Sequence, residues 1–157
     1  MELSKQFRDR MVEEQIAARG ITDGRLLRAF RIVPRHLFVP EVDTATAYAD
    51  YPLSIGSGQT ISQPFIVAKT CELAELQGSE KVLEIGTGSG YAAALLSLLA
   101  DEVYTIERLE TLYTRARDVL GDNGYETVNC IHGNGYEGYP EAAPFDAIIL
   151  SAAPKEV

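Results

Sequence analysis

The sequence predicts an α/β fold, a parallel doubly wound sheet preceded by an N-terminal helical extension, and three observations predict it. From Lys81 onward, short apolar runs alternate with stretches of helical period, the signature of successive βα units. A glycine-rich stretch, Glu84-Ile-Gly-Thr-Gly-Ser-Gly90, separates the first such run from the first such helix. Before it, apolar positions recur at helical steps. The 157 residues, 46% hydrophobic and 24% charged, fit one globular domain over 1–157, with N-terminal helices and a loop over 1–78 and the sheet core over 79–157.

The elements follow in order. Leu3, Phe7, Met11 and Ile16 recur at steps of about four with charges between them, predicting an amphipathic helix closed at Arg19-Gly20. Thr22 and Asp23 offer N-caps to a second helix carrying Leu26, Leu27 and Phe30. Pro34 and Pro40 bracket a constrained turn around His36. Asp50 to Gln63 shows no sustained period and reads as a long functional loop. Pro64 to Leu76 has helical spacing with Pro64 in the first turn. Strands are then expected at Lys81–Ile85, Glu102–Ile106, Glu126–Ile131 and Phe145–Leu150, and helices at Tyr91–Ala100 and Leu109–Leu120. The last strand is apolar enough for a position covered on both faces.

Charge and composition exclude whole classes. Fourteen Lys and Arg against 23 Asp and Glu leave a net charge of −9, a field that repels phosphates and disfavours nucleic acid as a partner. The first ten residues carry mixed charges and no apolar signal stretch follows. The longest apolar run, Tyr91 to Ala100, falls far short of the roughly 20 residues that span a bilayer. A cytoplasmic protein without a membrane partner is expected. Cys71 and Cys130 are too far apart for a redox or zinc pair and read as buried thiols. His36 and His132 lie near no acidic pair of metal spacing, so no metal site is expected. Arg108, Arg115 and Arg117 alternate with Glu107, Glu110 and Asp118, a solvated, paired helix face.

The glycine loop is the first element that carries chemistry. Small residues at Gly86, Thr87, Gly88, Ser89 and Gly90 let backbone approach a ligand beside a helix N-terminus. A dinucleotide fingerprint requires a third glycine where this chain has Tyr91. The pattern Glu-x-Gly-x-Gly-x-Gly instead resembles the first motif of class I S-adenosyl-L-methionine (SAM) methyltransferases, with Glu84 as its acid. Glu107, 21 residues after Gly86, would close the adjacent strand, where a carboxylate can accept both ribose hydroxyls; as a plain turn residue it would only solubilise. Asn134-Gly135 follows the third strand. The Asn134 amide, both donor and acceptor, suits an adenine edge, although a bland turn would look the same.

Beyond these motifs, the chain resembles one family over nearly its whole length: the protein-L-isoaspartate O-methyltransferases. The likeness runs through Arg19-Gly-Ile21, Val33-Pro-Arg-His-Leu-Phe-Val-Pro40, Gly58-Gln-Thr-Ile-Ser-Gln-Pro64, Val82-Leu-Glu-Ile-Gly-Thr-Gly-Ser-Gly-Tyr91 and Val103-Tyr-Thr-Ile-Glu-Arg108. The Gly-Gln-Thr-Ile-Ser-Gln-Pro segment is the family-specific one. The resemblance implies a Rossmann-like SAM-methyltransferase fold with strand order 3-2-1-4, SAM as cofactor and S-adenosyl-L-homocysteine as product. It implies methylation of isoaspartyl carboxyls in damaged proteins and peptides, after which the ester cyclises to a succinimide and hydrolyses partly to normal aspartate.

By the same resemblance Ser62 is the catalytic residue, and Gln59, Thr60 and Ile61 join it in lining the pocket. A carboxylate is already ionised near neutrality and needs no general base, so Ser62 is expected to orient it rather than attack anything. As a purely structural residue Ser62 would cap the helix that starts at Pro64.

Two departures stand out. Asn134 occupies a position where the family usually has Asp, and the Asn134-Gly135 and Asn123-Gly124 pairs are of the type most prone to deamidation. The chain also stops soon after its fourth strand, where the family continues through further strands, so the C-terminal strands are expected to be missing and the apolar fourth strand to form an exposed edge. Self-association through that strand, as a truncated non-catalytic SAM-binding fragment, is therefore one alternative. A small-molecule SAM methyltransferase is another. The absence of an Asn/Asp-Pro-Pro-aromatic motif at Ser151-Ala-Ala-Pro154 argues against an amino-methyltransferase of nucleic acids.

Overall fold

The computed structural model describes residues 2–152, which divide into two compact units between Leu76 and Gln77. In the first, helix α1 (Glu2–Arg10) runs on into a π-helical segment, Met11–Ile16, and a 3₁₀ turn, Ala17–Arg19, closed by Gly20. The spacing of the apolar positions follows this change. Steps of four link Leu3, Phe7 and Met11, and a step of five links Met11 to Ile16, which is the repeat of i→i+5 bonding. Met11, Val12 and Ile16 are buried, whereas Leu3 faces outward.

Helix α2 (Gly24–Ile32) starts at Asp23, whose side chain accepts from the Arg25 and Leu26 amides, and buries Leu26, Ala29 and Phe30. Of the two candidate caps, Asp23 makes the bonds. A 3₁₀ turn, Arg35–Phe38, and a short helix α3 (Thr44–Ala47) follow.

The expected loop before Pro64 is instead a β-hairpin. Strands β1 (Leu53–Gly56) and β2 (Gln59–Ile61) pair antiparallel, with Leu53 opposite Ile61 and a bulge between Ser54 and Gly56. Ser57 and Gly58 both take positive φ, 56° and 70°, the backbone of a type I′ turn whose twist matches that of the strands. Period-2 alternation is present, but only Leu53, Ile55 and Ile61 carry it. Helix α4 (Pro64–Leu73) begins on its proline and stops three residues short of Leu76, where Glu75 turns into positive φ.

The second unit is a four-stranded parallel sheet of β3 (Lys81–Ile85), β4 (Glu102–Glu107), β5 (Asn129–His132) and β6 (Ala147–Leu150), in the order β5-β4-β3-β6. Numbered by first appearance within this sheet, that is 3-2-1-4, as the resemblance implies. All three pairings are parallel. Helices α5 (Tyr91–Ser97) and α6 (Glu110–Asp122) connect β3 to β4 and β4 to β5. Ala93, Ala94, Leu95 and Leu96 are wholly buried, as befits a helix apolar on most sides.

Strand β5 is shorter than expected because Tyr125 to Val128 closes a turn, Val128 N–H donating to Tyr125 O at 3.1 Å. Strand β6 starts later because Asp146 is spent on Lys81, accepting from its amide at 2.8 Å. Among the described strands β6 forms an edge of the sheet. Its Ile149 is buried, while Ile148 and Leu150 are 61% and 53% exposed, so it is not covered on both faces.

Removing the α2 cap isolates one of these local devices. Asp23→Ala is expected to lower stability by about 1 kcal/mol in urea denaturation without altering the far-ultraviolet dichroism of the folded state.

Candidate functional site

Because β3 and β4 run parallel in register, their C-terminal tips share one edge, and the glycine loop leaves from it. The amides of Gly86 and Thr87 both donate to Ile106 O (2.9 and 3.2 Å), and that of Gly90 to Thr87 O at 2.9 Å. The Gly88 amide donates to Glu107 Oε2 at 2.9 Å. Four loop amides are thus spent inside the protein, so the loop offers a ligand the close approach of bare backbone more than free donors. Gly86 shows why no side chain fits: at φ +94° its Cβ would lie 2.5 Å from Ala152 Cβ. Ser89 is buried and accepts from the Tyr91 amide at 3.2 Å, bracing the entry to α5.

Two carboxylates flank the loop in different ways. Glu107, at the tip of β4 where the spacing expects it, accepts from Gly88 N–H with one oxygen and from Leu109 N–H with the other, both at 2.9 Å. Glu84 is 0% exposed. Its Oε1 accepts from Thr105 Oγ1 and its Oε2 from Ser151 Oγ, each at 2.7 Å. Burial pushes its carboxyl up from 4.5 to about 7, against the two hydroxyl bonds, which lower it, and with a smaller upward push from Glu107. Thr105, also fully buried, touches Thr87 Oγ1 at 2.6 Å.

The turn after β5 holds Asn134 and Gly135. Exposed Asn134 uses Oδ1 to accept from Tyr136 N–H at 3.1 Å, capping the 3₁₀ turn Gly135–Glu137. Its Nδ2 makes no hydrogen bond among the described residues. At Gly135 a Cβ would come within 2.4 Å of Ile85 Cγ2, so this turn presses against β3 only because it has no side chain there.

In the first unit, Gln59 and Thr60 are exposed on β2, Ile61 is buried in the interior, and Ser62 is half-buried. Any contact made by Ile61 toward a ligand is therefore through its backbone. The N-cap position of α4 belongs to Gln63, and no side chain caps it, so Ser62 is not held by capping. Its carbonyl accepts from Arg35 Nη2 at 2.9 Å, and Arg35 Nε donates to Ala47 O at 2.7 Å. Arg35 is 0% exposed, a depth that a charged residue inside a proline-bracketed turn does not signal in sequence. Gln63 donates to Asp50 Oδ1 at 2.7 Å, and Asp50 pairs with both terminal nitrogens of Arg19. These bonds hold the Asp50 carboxyl below its usual range.

Other candidates fall into structural places. His36 Nδ1 lies 2.9 Å from Tyr48 Oη, and His132 stacks on Tyr113 with its Nε2 3.1 Å from Arg108 O. Cys71 is buried; burial and the nearby Glu84 carboxyl push the half-buried Cys130 thiol up to about 11. Arg117 pairs with Asp118 at 3.0 Å over the Tyr113 ring, whereas Glu107 turns away from that face to the loop. Among the described residues no group of three or more His, Cys, Asp and Glu is placed to hold a metal ion. The hollow along α6, between Glu110 and Val119, contains none of the loop residues. Of the Ser151-Ala-Ala-Pro154 stretch, residues 153 and 154 lie outside the described residues.

The family model for protein-L-isoaspartate(D-aspartate) O-methyltransferase (PCMT) matches residues 5–157. The chain belongs to this family. Proteins of that name from Opitutus terrae and Geobacter metallireducens are each 55% identical to it over 150 residues, 96% of this chain and 64% and 69% of theirs. One from Shewanella sediminis is 56% identical over 93% of this chain and 60% of its own length. The chain thus spans less than two thirds of two of these three relatives. A solved protein-L-isoaspartate O-methyltransferase superposes with a TM-score of 0.83 at 30% identity, covering 91% of this chain and 47% of that one. A Plasmodium falciparum structure in complex with S-adenosyl-L-homocysteine gives 0.81 at 24% identity over 96% of this chain and 75% of its own. The fold is the Rossmann-like methyltransferase fold with N-terminal helices.

Two outcomes test this geometry. Glu84 keeps in the folded chain a proton that the unfolded chain releases between about pH 4.5 and 7, so its contribution to stability is complete below 4.5 and lost as pH rises through 7. Urea midpoints should fall from pH 5 to pH 8 in the wild type and fall distinctly less in Glu84→Gln. Gly135→Ala should lower the midpoint by about 1–3 kcal/mol in free energy through overpacking against Ile85.

Proposed function

We propose that the chain serves SAM-dependent methyl transfer to the carboxyl group of L-isoaspartyl residues in damaged proteins and peptides. The observation that carries this is the identity of 55% over 96% of the chain with a protein-L-isoaspartate O-methyltransferase. The site chemistry supports it. At Glu107 two backbone amides fix a carboxylate beside the glycine loop, where its remaining lone pairs suit ribose hydroxyls. The Asn134 amide nitrogen suits an adenine edge, and Gly86, Thr87, Gly88, Ser89, Gly90 and Gly135 supply surfaces without bulk. The family resemblance assigns Gln59, Thr60 and the Ile61 backbone to contact with substrate and cofactor.

SAM supplies a methyl group activated on a sulfonium. Ser62 orients the isoaspartyl carboxylate by donating its hydroxyl proton to one oxygen, leaving the other to attack. The O–CH₃ bond forms as the C–S bond breaks, the electron pair passes to sulfur, and S-adenosyl-L-homocysteine leaves. No proton moves, because the substrate enters ionised. The work left to the protein is alignment and exclusion of water, which accounts for a serine without a triad.

Among the described residues no helix is long and apolar enough to cross a membrane. We read the protein as cytoplasmic, with isoaspartyl proteins as partners and without nucleic acid or membrane partners. A second reading, self-association without catalysis, rests on exposed Ile148 and Leu150 of β6.

The test incubates the chain with radiolabelled SAM and an isoaspartyl peptide beside its aspartyl twin. Base-labile label on the isoaspartyl peptide alone is expected. Label on neither, with S-adenosyl-L-homocysteine still bound in calorimetry, selects the non-catalytic reading, and label on small metabolites selects another substrate. Ser62→Ala should cut the rate by roughly 10- to 100-fold through lost orientation; unchanged turnover would remove Ser62 from the site.

A further inference from the structure

The loop residues account for cofactor contact, but not for the buried polar chain beneath them. Ser151, Glu84, Thr105 and Thr87 are joined in a line by contacts of 2.7, 2.7 and 2.6 Å. They come from the segment after β6, from β3, from β4 and from the loop itself. Glu84 and Thr105 are fully buried and Thr87 nearly so, and a polar chain in such a place costs stability unless every group is paired.

The direction of the bonds follows from the inventory of protons. Thr105 Oγ1 donates its single hydroxyl proton to Glu84 Oε1, so across the 2.6 Å contact Thr87 must donate to Thr105. The Thr87 hydroxyl is then held in one orientation, its proton turned inward and its lone pairs left for whatever approaches the loop. We infer that Glu84 and Thr105 are positioning residues which, through this hydrogen-bond chain, hold Thr87 and the glycine loop in place for the amino-acid end of the cofactor. Glu84 acts from beneath the loop, since both its oxygens are taken and none of its surface is open. This rests on the proposed SAM site.

The experiment compares two ligands on the full chain by calorimetry: S-adenosyl-L-homocysteine, which carries the amino-acid end, and 5′-methylthioadenosine, which lacks it. Thr105→Val keeps the shape and removes the hydroxyl. It should weaken S-adenosyl-L-homocysteine about tenfold, the worth of one well-placed hydrogen bond, and leave 5′-methylthioadenosine within twofold. Thr105→Ser should restore the wild-type ratio. Thr87→Ala, which leaves Glu84 and Thr105 bonded to each other, should show the same selective loss and serves if Thr105→Val does not fold. Equal weakening of both ligands, or none of either, overturns the inference. A wild-type chain that binds neither ligand instead defeats the cofactor reading on which it rests.

Discussion

A carboxyl group buried at the tip of the central strand pair is the constraint to which the second unit is built. Leaving Glu84 unpaired inside the sheet would cost several kcal/mol, and its two oxygens are satisfied from opposite sides, by Thr105 on one neighbouring strand and Ser151 beyond the other. The main chain repeats the arrangement: Ile106 O receives the loop amides, and Ile85 O receives those of Ser151 and Ala152. Strand order, loop path and the chain beyond β6 therefore meet at the same few atoms.

The two acids of the site are held by different kinds of donor. Glu107 is gripped by backbone amides, which can only donate and cannot turn. Glu84 is gripped by side-chain hydroxyls from two other segments. The first arrangement suits a fixed acceptor facing a ligand, and the second ties neighbouring segments to one buried group. In the first unit an arginine plays the supporting part, its buried fork tying Ser62 to the end of α3.

How far the residues disclosed themselves depended on what each signal measures. Lys81–Ile85 and the glycine loop were plain because apolar runs and glycine spacing are local. The hairpin was hidden because three residues alone, Leu53, Ile55 and Ile61, alternate across it, and its turn resembles a loop in composition. Glu84 was picked out as part of a motif, but its depth could not be read, since burial is set by strands far along the chain. Thr105 had a faint signal: it lies two positions before Glu107, hence on the same face of β4, and is polar within an otherwise apolar run. Arg35 had none, as a charged residue between prolines reads as surface.

The π-helical segment Met11–Ile16 gives the N-terminal helix two faces in sequence rather than one. Removal of a single residue there would let ordinary i→i+4 bonding run unbroken. It would also rotate everything before the segment by about 100°, the angular step of one helical residue. The residues of α1 would turn relative to the side that Met11, Val12 and Ile16 bury. The extra residue thus acts as a gear between two helical wheels, and a single-residue deletion in this short stretch carries a penalty set by geometry rather than by the side chain lost.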